Sequence, residues 1–154
     1  MKTRKLGIVG LLGIGLVLVL CSCGGGSSNK RLTKTEFAAK ADALCASFNA
    51  EVSKAGSPQN ATEAIAYFNK LLPLDQKLVA DFGKLKPPAS EQATVNRLVE
   101  LGKEQATRAG DLIAAIKKSD QKAEYKLINE GAANSKESKN LFNKIGSAVC
   151  AKSN

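Results

Sequence analysis

The chain has 154 residues, 44% hydrophobic and 24% charged, which fits one globular domain and excludes a disordered or largely membrane-embedded chain. Aromatics make up 5% and Trp is absent, so a core built mainly from Leu, Ile, Val and Ala favours close-packed helices over sheet. The formal charge of +9 includes Lys2, Arg4 and Lys5; without them 20 basic residues face 14 acidic ones, a net +6 spread thinly along the chain, with no basic stripe interleaved with aromatics to recruit nucleic acid.

The first element is a leader. Lys2-Thr3-Arg4-Lys5 forms a positive head, and an apolar run extends from Leu6 to Leu20. As a helix that run covers about 22 Å, short of the roughly 30 Å hydrocarbon core, which suits a signal peptide better than a stable span. Leu20-Cys21-Ser22-Cys23 resembles the lipobox of bacterial lipoproteins: an aliphatic residue, two small residues, then the acylated cysteine. Cys21 is the weaker acceptor, because Leu20 would then occupy the position before the cut, where a small residue is needed. Residues 1–22 are therefore expected to be removed and Cys23 lipidated, anchoring the mature chain on the extracytoplasmic face of the cell membrane. Gly24-Gly25-Gly26-Ser27-Ser28-Asn29 opens a flexible tether assigned to residues 23–32. Lys30, Arg31 and Lys34 follow and are placed either to meet anionic headgroups or simply to keep the surface soluble.

Residues 33–154 read as a helical domain. Thr33-Lys34-Thr35-Glu36 is a capping box, with Leu32 placed to staple onto Phe37. The inward stripe of this first helix is Phe37, Ala41, Leu44, Cys45, Phe48 and Val52, and Gly56-Ser57-Pro58 stops it. Asn60 and Glu63 open a second helix with Ile65, Phe68, Leu72, Leu78, Phe82 and Leu85 on one side, closed by Pro87-Pro88. Pro73 lies within it, lacks an amide hydrogen and clashes with the preceding turn, so a kink or short break is expected near Lys70–Leu72. Ser90 is expected to start the third helix, whose stripe is Val95, Leu98, Gly102, Ala106, Ala109, Leu112, Ile113 and Ile116. Asp120 caps a fourth, with Ala123, Leu127, Ile128, Gly131, Ser135, Leu141, Phe142 and Ile145 inward and Gly146 as its terminating residue. Four helices with short loops predict an all-α, antiparallel up-down-up-down four-helix bundle.

Of the four cysteines, Cys21 leaves with the leader and Cys23 is consumed by the lipid. Cys45 and Cys150 remain, an even pair expected to form a disulfide in an oxidising compartment. A redox role has little behind it, since the pair lacks C-x-x-C spacing and no His is present to tune a thiolate. Cys45 lies mid-helix whereas Cys150 follows the last helix, so either the start of the first helix overhangs the bundle or the C-terminal tail folds back.

Lys40-Ala41-Asp42-Ala43-Leu44-Cys45-Ala46, the terminator Leu85-Lys86-Pro87-Pro88, Ala109-Gly110-Asp111 and the ending Ile145-Gly146-Ser147-Ala148-Val149-Cys150 together resemble a group of small exported proteins and lipoproteins, mainly actinobacterial, of uncharacterised function. The resemblance implies a helical bundle stapled from its first helix to its C-terminal end, and it carries over no catalytic or ligand residues.

With no His in the chain, the commonest general base, the usual zinc and haem ligand and every Ser-His or Cys-His arrangement are absent. No catalytic residue, cofactor or metal site is expected, and the chain is read as a non-enzyme. Glu36 with Lys40 and Glu104 with Arg108 are spaced as surface ion pairs; Tyr67, Tyr125 and Arg97 could line a pocket, but a core or surface role is preferred for them. Two functions fit. The favoured one is an interaction or regulatory domain displayed on the membrane to meet an envelope protein, which requires an exposed apolar patch. The alternative is a carrier for a small ligand or lipid, which requires a cavity of about 300 Å³ or more between helices. The first is preferred here because small residues usually draw helices together.

Overall fold

A computed structural model describes residues 30–152. The expected leader, Cys23 and the tether up to Asn29 lie outside the described residues, as do residues 153 and 154. The described chain forms four helices, α1 (Lys34–Ala55), α2 (Ala61–Lys84), α3 (Gln92–Lys117) and α4 (Gln121–Ile145), with short 3-10 turns at Ala89–Glu91 and Cys150–Lys152. It is an all-α helical bundle in which α1 packs on α2, α2 on α3 and α3 on α4. The start of α1, the end of α2, the start of α3 and the end of α4 gather at one end: Leu32 N–H donates to the Lys86 carbonyl, and Lys34 Nζ reaches both Glu91 and the Lys144 carbonyl.

Local chemistry sets the helix ends. The Thr33 hydroxyl accepts from Glu36 N–H while the Glu36 carboxylate accepts from Thr33 N–H, a complete capping box. Those hydrogen bonds hold the Glu36 carboxyl below the usual range. Asn60 Oδ1 accepts from Glu63 N–H while the Glu63 carboxylate accepts from Asn60 Nδ2 and Gln59 N–H, Asp120 accepts from Ala123 N–H, and Gly146 ends α4 at φ 83°, a left-handed conformation that a side chain would strain. Ser90 does not act as expected: it sits inside the 3-10 turn after Pro88, and α3 starts at Gln92 without a side-chain cap. The helix of α2 runs through Pro73 without a break. Pro73 and Asn69 are both exposed, so water can take the place of the lost backbone bond.

The tightest part of the core lies toward the end where α1 begins. Phe37, Ala41, Cys45, Phe82, Val95, Leu98, Ile145 and Cys150 form one buried cluster, in which fully burying a side chain such as Phe37 contributes about 1.5–3 kcal/mol. The rings of Phe37 and Phe82 (5.6 Å) and of Phe82 and Phe142 (5.8 Å) meet edge to face, tying α1, α2 and α4 together. Toward the other end the stripes of α1 and α2 are only half-buried at Phe48, Val52, Ile65, Phe68, Leu71 and Leu72. Ile128, expected inward, is 55% exposed on α4 together with Tyr125.

The C-terminal tail resolves the geometry of the cysteines. The chain reverses at Gly146 and climbs back along α1, where Asp42 Oδ1 accepts from Ser147 Oγ (2.6 Å), Val149 N (2.9 Å) and Cys150 N (3.3 Å). Cys150 then reaches Cys45, and the two are disulfide-bonded with Cα atoms 5.3 Å apart. Two of the sequence stretches singled out above, around Asp42 and around Ser147, thus clasp each other.

Candidate functional site

An apolar cavity of about 420 Å³, partly open to solvent, lies between the four helices. Its walls can be followed from the residues. The tail packs against both α1 and α4, and those two helices meet largely through it rather than face to face. Phe48, Val52, Phe68, Leu71 and Leu72 of the half-buried stripes described above border the space between the helices. Cys45 and Cys150 border the cavity; Phe48 and Val52 of α1 stand on one side and Ser135 and Ser138 of α4 on the other.

The α2–α3 seam behaves in the opposite way. A Cβ at Gly102 would come within 2.5 Å of Val79 Cγ2, so glycine is what lets α3 approach α2 there. Small residues do close this seam, as the sequence suggested. Both Val79 and Gly102 contribute to the cavity wall.

The wall is mostly Leu, Val and Phe, with few polar groups. Gln105 Oε1 accepts from Arg108, and Asn134 Nδ2 donates to Glu104. Asp75 is different. It lies on the α2 stripe, half-buried, with no hydrogen-bond or ion-pair partner among the described residues, and burial pushes its carboxyl up to about 6. No signal was drawn from it in the sequence, although it sits three residues after Leu72 and three before Leu78, at the position an apolar side chain should fill.

Of Tyr67, Tyr125 and Arg97, for which the sequence favoured a core or surface place over a pocket, one lines the cavity and two do not. Tyr67 lines the cavity beside Phe68, whereas Tyr125 is 68% exposed on α4. Arg97 is held on the α3–α4 surface, bidentate to Glu137 (2.8 and 3.1 Å) and bonded to Glu104 (3.0 Å). Glu104 therefore pairs across two turns with Arg97 rather than with Arg108, which lies 3.8 Å from Glu130. Glu36 closes its capping box rather than an ion pair with Lys40. Arg31 and Lys34, considered for headgroup contact, are engaged within the fold: Arg31 donates to the Pro87 carbonyl and Gln92, and Lys34 pairs with Glu91.

Among the described residues no helix is long and apolar enough to cross a membrane, and no three or more His, Cys, Asp or Glu side chains converge on a metal-sized site. No protein-family model, curated protein or solved structure matches the chain, so any functional reading rests on the geometry of this cavity and on the sequence.

Proposed function

We propose that the chain is a lipid-anchored, extracytoplasmic binding protein that carries one small apolar ligand between its helices. The observation behind this reading is the cavity of about 420 Å³ with its Leu, Val and Phe walls, within the roughly 300–1,000 Å³ range of small-ligand sites. The location is supported by the leader and the Leu20-Cys21-Ser22-Cys23 lipobox pattern, and the Cys45–Cys150 disulfide agrees with an oxidising compartment. Display for an envelope-protein partner is the second reading. It draws on Tyr125 and Ile128, exposed one turn apart on α4.

Two measurements test the proposal. The neutral fluorophore N-phenyl-1-naphthylamine should brighten on binding the mature chain, and Ala109→Phe, which projects a ring into the cavity, should abolish that signal while leaving helicity intact. An undiminished signal in Ala109→Phe, or none in the wild type, removes the carrier reading. Separately, an acyl-chain probe fed to expressing cells should label the wild type and not Cys23→Ser; equal labelling of both removes the anchor at Cys23.

A further inference from the structure

The occupant's charge is written in the cavity wall. Of the described side chains that line it, Asp75 alone carries a charge. It stands within one turn of Leu71, Leu72, Leu78 and Val79 on the same face of α2. The helices packed against α2 bring no countercharge: α1 offers Phe48 and Val52, α3 offers Leu101, Gly102 and Gln105, and α4 across the cavity offers Asn134, Ser135 and Ser138. Gln105 Oε1 accepts from Arg108 and Asn134 Nδ2 donates to Glu104, and neither amide bonds Asp75. A carboxylate in such surroundings lacks the partners that normally offset desolvation.

We propose that the ligand is a long-chain cation, an apolar body bearing a single protonated amine, and that Asp75 receives its head. This rests on the carrier reading and adds the chemical class of the occupant. An ammonium group is the complement the site lacks: it donates to the carboxylate and neutralises it, and a charge-assisted hydrogen bond in apolar surroundings is about twice as strong as a neutral one. A fatty acid or phosphate-bearing lipid would bring a second negative charge beside Asp75, with no cation lining the cavity to relieve it. A neutral alcohol would fill the volume and leave the carboxylate uncompensated.

The test compares three twelve-carbon probes, dodecylamine, dodecanol and dodecanoate, each displacing N-phenyl-1-naphthylamine from the mature chain carrying Cys23→Ser. At about pH 8, with Asp75 ionised, the amine should bind roughly tenfold or more tighter than the alcohol, with dodecanoate weakest. Asp75→Asn, which keeps shape and removes charge, should bring the amine down to about the alcohol's affinity. Lowering the pH to about 5 should weaken amine binding in the wild type and have little effect in Asp75→Asn. Thermal melting by circular dichroism confirms that the variant is folded. Equal affinity for amine and alcohol, tightest binding of dodecanoate, or indifference of the amine to Asp75→Asn would each overturn the ligand class while the cavity still binds. Failure of all three probes and of the fluorophore would overturn the carrier reading as well.

Discussion

Asp42 and Asp75 are both half-buried carboxylates, and their surroundings give them opposite effects on stability. Asp42 Oδ1 accepts three hydrogen bonds from the returning tail. Asp42→Ala leaves the fully buried Ser147 hydroxyl and two backbone amides without an acceptor, so it should cost about 1–3 kcal/mol. Thermal melting reads that loss, and faster hydrogen exchange at the Val149 and Cys150 amides locates it; exchange unchanged at those amides would contradict the role. Asp75 has no such partners. Its carboxyl rises on folding from 3.8 to about 6, so between those values the native chain holds more protons than the unfolded one, and stability falls as pH rises through that window. Asp75→Asn should therefore melt higher than wild type at neutral pH, by about 1–2 kcal/mol after allowing for partial solvent access, and the two curves should converge below about pH 4. A variant less stable than wild type at pH 7 would show that the carboxylate is held by favourable contacts. A residue that costs stability where an apolar side chain would fit is the kind of exception expected at a binding site.

At the scale of helices, much of the pattern was legible because caps and stripes are local. Thr33, Asn60, Asp120 and Gly146 act as their types and spacing dictate. What local spacing could not give was the full set of partners: Arg97 meets Glu100 and Glu104 within α3, and the packing of α3 on α4 adds Glu137 to Arg97 and Asn134 to Glu104. Ile128 was misplaced for a related reason, since a stripe with both Leu127 and Ile128 is wider than the face α4 buries. Gly102 is the clearest element-level test. Alanine there gains up to about 1 kcal/mol of helix propensity but drives its Cβ to 2.5 Å from Val79 Cγ2, an overpacking that costs about 1–3 kcal/mol. Gly102→Ala should thus destabilise modestly, and Val79→Ala in the same chain should recover part of the loss. A double-mutant cycle with no coupling between the two positions would show that the helices are not in contact there.

At the scale of the whole molecule, the feature that matters most was the least legible. The sequence fitted either an overhanging first helix or a tail that folds back, because the separation of Cys45 and Cys150 constrains distance and not path. Nor could periodicity tell a filled core from an open one: Phe48, Val52, Phe68 and Leu72 make the same stripe whether they meet side chains or empty space. The returning tail answers the first, and the disulfide together with Asp42 fixes it against α1. With 105 residues separating the cysteines in sequence, the bond removes much of the freedom of the unfolded chain, worth up to about 4.7 kcal/mol and usually 2–4. Cys45→Ser with Cys150→Ser should lower the melting temperature on the order of 10 °C and leave the helical signal at low temperature close to wild type, since the helices keep their caps and Asp42 still holds the tail. The same variant should bind N-phenyl-1-naphthylamine more weakly, because Cys45 and Cys150 border the cavity and a loosened tail lets α1 and α4 close on the space. Equal melting of the variant and the oxidised wild type would mean that the bond does not form. Lower melting with unchanged fluorophore affinity would mean that the cavity is set by the packing of α2 and α3 rather than by the tail.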